Sequence, residues 1–391
     1  MKNLSRAAGC IELSLTRKLF NLAKQYDDVI DFTLGDPDIQ TPLAIKEAGC
    51  QAIMQGKTRY SQNAGLLDLR KIISAYYEKK ESLSYNPESE ILVSVGAMEG
   101  LYLVLLALVD EGDEIIIPAP YYVNYKQMVM MCGGTPVIVE DPENPLVCST
   151  EKIKAAVSKN TKAIVINTPC NPTGRYLDEK FLQDISEIAI ENDLYVITDE
   201  VYKCLVYESG KRLKSIASFP KMKERTIYIN SLSKEFCMTG WRVGYVMGNA
   251  DVIGAITKLQ ENVAACAPLP SQYAAMEALR TDKNYSEEMA TIFKSRRDAL
   301  AEEFRKISGV TCVAPPATFY AMVDISKTGM GSEEFAYGLL KSQHVAVVPG
   351  KTYGRLCDKY IRMAFTLDES KIREGIKRFG KYIEELQLSK K

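Results

Sequence analysis

The sequence predicts an α/β fold, with a mostly parallel seven-stranded sheet covered by helices and a smaller α+β domain after it. Seven short runs rich in β-branched residues are the candidate strands: "EILVSV", "DEIIIP", "PVIVE", "KAIVINT", "LYVITD", "TIYIN" and "GYVMG". Helix-length stretches such as "DEKFLQDISEIAIEND" separate most of them. Nearly continuous apolar strands that alternate with helices are typical of a parallel sheet buried on both faces.

The smaller domain is predicted from the pattern that follows the sheet. A long helical stretch, "YSEEMATIFKSRRDALAEEFRKI", precedes three further strand-like runs, "FYAMVDI", "VAVVP" and "YIRMAFT". The last helix carries apolar residues at helical spacing, which predicts that this face docks on the small domain. We therefore expect an N-terminal segment (residues 1–40) that packs with the small domain, a large domain (41–283) and a small domain (284–391).

Composition and charge exclude several classes of protein. The chain has 391 residues and a net charge of -1, so it has no basic face for nucleic acid. Its longest apolar run, "LYLVLLALV", is too short to span a bilayer, and the first residues lack the apolar stretch of a signal peptide. A single histidine argues against a metal site, and ten cysteines without CxxC pairs suit a reducing cytoplasm. We expect a cytoplasmic protein without nucleic-acid, membrane or metal partners.

Polar clusters follow four of the predicted strands. "TPCNPTG" comes after "AIVIN", "DEVY" after "YVIT", "SLSK" after "TIYIN" and "GAMEG" after "ILVSV". Ligands of parallel sheets gather at the carboxyl ends of the strands, so these clusters should meet at one edge. No GxGxxG follows a strand, and neither "GKT" has the earlier glycine of a phosphate-binding loop, which disfavours a nucleotide-dependent enzyme.

The segment "SLSKEFCMTGWR" combines a lysine with groups that suit a phosphate. Ser231 and Ser233 flank Lys234, and Arg242 follows. Hydroxyls donate to phosphate oxygens and arginine forks onto them. A lysine at such a place can form a Schiff base with a phosphorylated aldehyde. Pyridoxal phosphate is the cofactor that needs both features.

The other clusters meet the further needs of that cofactor. Asp199 could keep the pyridine nitrogen protonated, and Tyr202 and Asn171 could donate to the ring 3-oxygen. Tyr122 could stack on the ring. The strand–glycine–helix pattern "VSVGAMEGLYL" could direct the amides of Ala97 and Met98 at the phosphate.

With these motifs in place, the chain resembles the class I/II aminotransferases of pyridoxal-phosphate fold type I, of the aspartate and aromatic aminotransferase kind. The resemblance covers almost the whole chain and includes "FTLGDPDIQTP", "GKTRYSQNAGLLDLRKII", "NTPCNPTGRY", "VITDEVY", "SLSKEFCMTGWRVGY", "VAVVPG" and "YIRMAFT". It implies that residues 41–283 form the cofactor-binding domain. It also implies that Lys234, Asp199 and Tyr202 are catalytic.

The resemblance implies further site residues. Tyr60 resembles a tyrosine that reaches the phosphate of the neighbouring subunit, so a homodimer with shared active sites is expected. Arg362 and Asn171 resemble the clamp for the substrate α-carboxylate, with the backbone of Gly35 nearby. The implied reaction moves an amino group between an L-amino acid, of aspartate or aromatic type, and a 2-oxo acid such as 2-oxoglutarate.

Two other activities remain open at this point. A carbon–sulfur β-lyase would use the same cofactor site and diverge only after removal of the α-proton. A non-catalytic regulator that senses the cofactor would need a DNA-binding domain, for which the chain shows no basic helix pair. The amino donor is also open: Arg17 and Arg59 are candidate partners for a second substrate carboxylate, and neither lies in a motif that fixes its place.

Overall fold

A computed structural model describes residues 4–11, 15–280 and 284–388. The strands, in chain order, are β1 (Ile30–Asp31), β2 (Ile91–Ser94), β3 (Glu114–Pro118), β4 (Thr135–Val139), β5 (Thr161–Asn167), β6 (Tyr195–Asp199), β7 (Thr226–Ser231), β8 (Gly244–Met247), β9 (Thr311–Cys312), β10 (Tyr320–Asp324), β11 (Val345–Ala346), β12 (Val348–Pro349) and β13 (Tyr360–Ala364).

The helices are α1 (Arg6–Gly9), α2 (Leu15–Ala23), α3 (Leu43–Met54), α4 (Leu67–Glu81), α5 (Gly96–Leu108), α6 (Asn124–Met131), α7 (Thr150–Ala155), α8 (Glu179–Glu191), α9 (Leu232–Glu235), α10 (Ala250–Val263), α11 (Leu269–Arg280), α12 (Tyr285–Phe304), α13 (Ser332–Gln343) and α14 (Glu369–Leu388). Within the described ranges, no helix is both long and apolar enough to cross a bilayer.

Seven strands form the central sheet, in the order β2-β8-β7-β6-β5-β3-β4. All neighbours pair in parallel except β8, which is antiparallel to β2 and to β7. The seven strands are the seven runs identified in the sequence, so the predicted fold class is confirmed. Because β2 points the same way as β7, its carboxyl end lies at the same edge as the ends of β5, β6 and β7.

Helices cover both faces of this sheet. Along β3, Ile115 and Ile117 belong to the hydrophobic cluster under α5 and α10, whereas Ile116 belongs to the cluster under α8. Successive side chains of a strand point to opposite faces, so a strand buried on both sides must be apolar at every position. This is why the runs read as continuous rather than alternating.

The second sheet is antiparallel and has the order β12-β13-β10-β9. Helix α14 packs its apolar face into the same cluster as the strands, with Ile372, Ile376, Phe379 and Ile383 buried and Leu386 partly buried. The docking face predicted for the last helix is therefore buried as expected.

The N-terminal segment contacts the small sheet region directly. Strand β1 pairs in parallel with β11, and Leu19 and Phe32 are buried in the same cluster as Phe335 and Phe379. The predicted boundaries after residues 40 and 283 remain predictions, and residues 281–283, at the second boundary, lie outside the described part of the chain.

Candidate active site

A cavity of about 470 Å³ lies at the carboxyl edge of the central sheet. Strands β5, β6 and β7 end there at Asn167, Asp199 and Ser231. Twelve of the predicted site residues line this cavity: Gly35, Ala97, Met98, Tyr122, Asn171, Asp199, Tyr202, Ser231, Ser233, Lys234, Arg242 and Arg362. The exception is Tyr60, whose side chain is 86% exposed in the single chain and lies elsewhere.

Lys234 lies in the one-turn helix α9, which Ser231 caps at its N-terminus. Its Nζ donates to the carbonyl oxygen of Gly35 at 2.7 Å. Loss of hydration in the cleft lowers the pKa of Lys234 to about 8; Asp36 opposes this shift, and Arg242 adds to it. A substantial fraction of the amine is therefore neutral near pH 8, as a nucleophile or base requires.

Asp199 ends β6 and is buried beside the cavity. The hydroxyl of Tyr125 donates to its Oδ2 at 2.6 Å, and the Val201 amide donates to Oδ1 at 3.3 Å. Burial raises the pKa of Asp199 to about 6, although the bond from Tyr125 works against that shift. A buried carboxylate without a cation is unfavourable, so this position suits a positively charged ligand group.

Tyr202 lies three residues beyond Asp199 and meets an aromatic residue of the small sheet. Its hydroxyl is 3.0 Å from the hydroxyl of Tyr320, and the two rings are edge-to-face with centroids 5.6 Å apart. Burial raises the pKa of Tyr202 well above its ordinary value. The neutral phenol is thus a hydrogen-bond donor at any physiological pH.

Asn171 and Arg362 form a pair across the cavity. Arg362 Nη1 donates to Asn171 Oδ1 at 3.2 Å, and its Nη2 donates to the carbonyl of Thr33. The guanidinium lies 4.5 Å from the ring centroid of Tyr320 and 5.3 Å from that of Tyr353. The Nε atom is buried and, within the described residues, has no hydrogen-bond partner. Arg362 lines the cavity, where its planar guanidinium suits a carboxylate.

The hydroxyls and Arg242 lie against the start of α5. Ser231 Oγ accepts from the Ser233 amide at 3.0 Å, which leaves its own proton free to donate. Gly96 has φ 78°, and a Cβ there would lie 2.7 Å from Arg242 Nη2. A glycine is therefore required for the arginine to approach the helix N-terminus, where Ala97 and Met98 follow.

Tyr122 lies over the residues at the start of α5. Its hydroxyl is 3.6 Å from Met98 Sδ, and its ring packs edge-to-face with that of Tyr125 at 5.5 Å. Burial raises the pKa of Tyr122 to about 12. Contacts with Met98 and Tyr125 thus fix the Tyr122 ring in the lining of the cavity.

Three further residues of the site were not predicted from the sequence. Tyr125, which bonds Asp199, follows Tyr122 by one helical turn in "PAPYYVNY", and this spacing was an available signal. Tyr320 has no comparable signal, because an aromatic residue in a strand is read as core. Asn167 also lines the cavity, and its Oδ1 accepts from the Asn171 amide at 2.8 Å.

The two arginines proposed for a second carboxylate stand apart from this set. Arg59 is exposed and lies outside the lining of the cavity. The side chain of Arg17 is outside the part of the chain that the structure describes. Neither role is tested.

The groups around the cavity match the needs of pyridoxal phosphate. They include an amine of lowered pKa, a buried carboxyl, two hydroxyls and an arginine beside a helix N-terminus. A seven-stranded, mostly parallel sheet that carries such a set at its carboxyl edge defines an enzyme of the pyridoxal-phosphate fold type I class.

The chain belongs to the class I and II aminotransferase family. The family model for aminotransferase class I and II matches residues 27–379. The chain is 38% identical to an aspartate aminotransferase of Pyrococcus abyssi, over 95% of this chain and 96% of the relative. It is 35% identical to aromatic-amino-acid aminotransferase 2 of Thermococcus litoralis, over 98% of this chain and 99% of the relative.

A solved structure agrees with these relatives. The aspartate aminotransferase of Thermus thermophilus with maleate has a TM-score of 0.91 to this chain at 33% identity, covering 98% of this chain and all of the other. The predicted family, fold type and aminotransferase activity are thereby confirmed, and the protein is a transaminase.

Proposed function

We propose that this transaminase uses pyridoxal phosphate to move an amino group between an L-amino acid, of aspartate or aromatic type, and a 2-oxo acid such as 2-oxoglutarate. The observation that carries the proposal is the lowered pKa of Lys234 in a cavity that also contains Asp199, Arg242 and Arg362. The names of the P. abyssi and T. litoralis relatives support the two substrate types.

The cofactor, when bound, supplies an electron sink that stabilises negative charge at the substrate α-carbon. This chain's residues would hold it at both ends. Lys234 would bind it covalently and Asp199 would keep its ring nitrogen protonated. The donors to the 3-oxygen would be Asn171 and Tyr202, and Tyr122 would pack on the ring. The phosphate would be bound by Ser231, Ser233, Arg242, the amides of Ala97 and Met98, and Tyr60 of a second subunit.

Lys234 would also carry the proton of the reaction. Once a substrate amine has displaced Lys234, the neutral Nζ can accept the α-proton and later donate that proton again as the amino group is transferred. The lowered pKa favours this role, because an ordinary lysine is almost fully protonated at neutral pH. Transaminase chemistry needs this single base on one face of the substrate.

The substrate α-carboxylate would bind Arg362 and Asn171, with the backbone of Gly35 beside them. The planar guanidinium lines the cavity and matches a carboxylate with two parallel hydrogen bonds. Asn171 Oδ1 already orients the guanidinium by accepting from Nη1. The amino acid would thereby be positioned with its α-carbon near Lys234.

The test is a screen of amino donors with the purified holoenzyme. Aspartate, glutamate, phenylalanine and tyrosine are each supplied with 2-oxoglutarate or with pyruvate, and the new amino acid is measured by chromatography. Lys234→Ala is the control and should give no product. Release of ammonia and a thiol from cysteine conjugates, without transfer of the amino group, would contradict the proposal and indicate a β-lyase.

A further inference from the structure

A buried cluster of three charged side chains lies behind the cavity and takes no part in it. Lys203 Nζ is 2.6 Å from Glu81 Oε2 and 2.8 Å from Glu200 Oε2. The side chains of Lys203, Glu81 and Glu200 are 14%, 16% and 1% exposed. Exposed ion pairs contribute little to stability, but a buried charge needs its partners. We call this set the Lys203 triad.

Glu200 is fixed from several directions. Its Oε1 accepts from Ser215 Oγ at 2.6 Å and from Thr198 Oγ1 at 3.0 Å, and its backbone amide donates to the Ile229 carbonyl at 3.1 Å. Glu200 is therefore a rigid anchor at the end of the central sheet. It directly follows Asp199 in the chain.

Glu81 supplies the second anchor from another element. It is the last residue of α4, whose C-cap Ser82 is in the left-handed conformation and donates its amide to the Glu78 carbonyl. Burial raises the pKa of Glu81 to about 7 in spite of Lys203. The ion pair between Lys203 and Glu81 is therefore the weaker of the two at neutral pH. The ion pair between Lys203 and Glu200 is the stronger one, since Ser215 and Thr198 also donate to the Glu200 carboxylate.

Lys203 forms ion pairs with both Glu200 and Glu81, and it directly follows Tyr202 in the chain. The turn after β6 is closed by the Lys203 amide to the Glu200 carbonyl at 3.0 Å and by the Leu205 amide to the Tyr202 carbonyl at 2.8 Å. Asp199 opens this turn and Tyr202 immediately precedes Lys203. The position of Lys203 therefore sets the backbone that carries both side chains.

We propose that Lys203 is a positioning residue: its ion pairs with Glu200 and Glu81 hold the turn that presents Asp199 and Tyr202 to the cavity. The inference rests on the proposed function for its effect on the reaction, but the role in the turn is independent of cofactor and substrate. Removing the ammonium takes both ion pairs from the turn and leaves Glu200, whose side chain is 1% exposed, without its cation, so the turn is displaced.

The test compares four variants with the wild type. Lys203→Met keeps most of the side-chain length but removes the charge, and Lys203→Arg keeps the charge. The triple variant Lys203→Met, Glu81→Leu and Glu200→Gln removes all three charges and keeps an acceptor oxygen for Ser215 and Thr198, which can restore stability without restoring the ion pairs. Lys223→Met is the control, because it removes a half-exposed pair with Glu90 at 3.2 Å that lies outside the cavity.

Two readouts separate positioning from folding. Amide hydrogen exchange of the turn, residues 200–205, is measured by mass spectrometry in the apoprotein. The kcat and KM of the holoenzyme are measured with one amino donor. For Lys203→Met we expect faster exchange in this turn, a kcat lowered about ten- to hundredfold and little change in KM, since small misplacements of catalytic groups have effects of this order. Lys203→Arg should restore most of the protection from exchange and most of kcat. Lys223→Met should match the wild type in both.

The triple variant keeps the proposal testable if Lys203→Met does not fold. It should melt near the wild-type temperature yet retain the fast exchange and the low kcat. Wild-type kcat in this variant would overturn the proposal, as would a low kcat with unchanged exchange in the turn. A wild-type protein without transaminase activity would refute the proposed function instead, and the exchange measurement would still test the triad.

Discussion

Two basic side chains of the cavity, Lys234 and Arg362, are both hydrogen-bonded to one short backbone segment. Lys234 donates to the carbonyl of Gly35, and Arg362 donates to the carbonyl of Thr33. A Cβ on Gly35 would collide with the hydroxyl of Tyr320, so the segment passes very close to the small sheet. Main-chain carbonyls thus help to position both the amine and the guanidinium, and the side chain of Asn171 also contacts the guanidinium.

Attachment of the cofactor to Lys234 should depend on pH with a midpoint near 8. The folded pKa of this lysine lies below its ordinary value of 10.5, and only the neutral amine attacks an aldehyde. The rate of attachment to the apoprotein should therefore rise with pH and level off above about 8. Stopped-flow absorbance checks this, and borohydride reduction with peptide mapping identifies the lysine. A rate that still rises steeply at pH 10 would show an unperturbed amine.

Arg362→Lys should weaken amino-acid substrates while cofactor binding persists. Lysine offers a point charge where arginine offers two parallel donors, so KM should rise about ten- to hundredfold, the equivalent of one charge-assisted hydrogen bond. Steady-state kinetics and the visible absorbance of the holoenzyme measure the two effects. Arg355→Lys, at an exposed arginine paired with Glu140, is the matched control. An equal loss with amines that lack a carboxylate would contradict the assignment.

Single residues of the site could be predicted where the chemistry is local in sequence. Asp199 ends β6, and Lys234 and Asn171 follow shortly after the ends of β7 and β5, so the parallel topology predicts that they converge. The partner of Asp199 could not be assigned in this way, because Tyr125 approaches it from a helix that follows β3. The one-turn spacing of Tyr122 and Tyr125 indicates that they share a side, but the contact with Asp199 depends on the packing of α6 against the sheet.

At the scale of elements, the turn between β2 and α5 determines how the anion-binding groups meet. Gly244 of β8 also contacts this turn: a Cβ there would lie 2.7 Å from the Ala97 amide nitrogen. Two glycines thus allow a strand, a helix N-terminus and Arg242 to approach one another. The arrangement concentrates backbone amides and a guanidinium in one place.

Gly96→Ala should weaken cofactor binding. The new Cβ would displace Arg242, and an alanine at positive φ is strained by about 1–2 kcal/mol. Loss of one charge-assisted contact to the phosphate should lower cofactor affinity about ten- to hundredfold. Fluorescence titration of the apoprotein with cofactor measures this.

Gly112→Ala is the control for that variant. Gly112 also has positive φ, at 99°, but a Cβ there meets nothing within 4 Å. It therefore reproduces the backbone strain without the contact with Arg242. Equal losses of affinity in the two variants would show that strain, not the arginine, is responsible.

The elements themselves were largely predictable, but their arrangement was not. Buried strands of four to seven residues leave a clear apolar signature, and all seven were identified. The two-residue strands β1 and β9 are too short for any pattern, and the predicted run "VAVVP" is divided between the two-residue strands β11 and β12. The insertion of β8 between β2 and β7 follows from tertiary packing, which periodicity along the chain does not encode.

At the scale of the whole molecule, Tyr60 is the site residue that we predict to act in a second subunit. It is exposed, and Leu43, Ile53 and Met54 on or beside α3 are large exposed hydrophobic residues as well. The predicted two-fold dimer would cover such residues and bring Tyr60 to the phosphate of the second subunit.

Complementation tests this arrangement. Lys234→Ala and Tyr60→Ala are unfolded, mixed and refolded together. If Tyr60 acts across the interface, each mixed dimer has one doubly mutated site and one intact site. About a quarter of all sites should then be intact after random pairing, and activity should exceed the average of the two parents.

A second mixture is the control for complementation. Lys234 and Arg362 line the same cavity of one chain, so Lys234→Ala mixed with Arg362→Ala leaves one lesion in every site of a mixed dimer. This mixture should show no gain. Absence of a gain in the Tyr60 mixture as well would contradict the shared site.

The placement of β8 has a consequence for how the protein is made. Ile91 of β2 pairs with Met247 of β8, and Ser94 pairs with Gly244, so residues far apart in sequence form adjacent strands. A chain emerging from the ribosome can complete β3, β4, β5 and β6 while β2 still lacks its neighbour. The turn at Gly96 and Arg242 can therefore assemble only after β8 has emerged, and the proposed phosphate site forms late, when most of the sheet already exists.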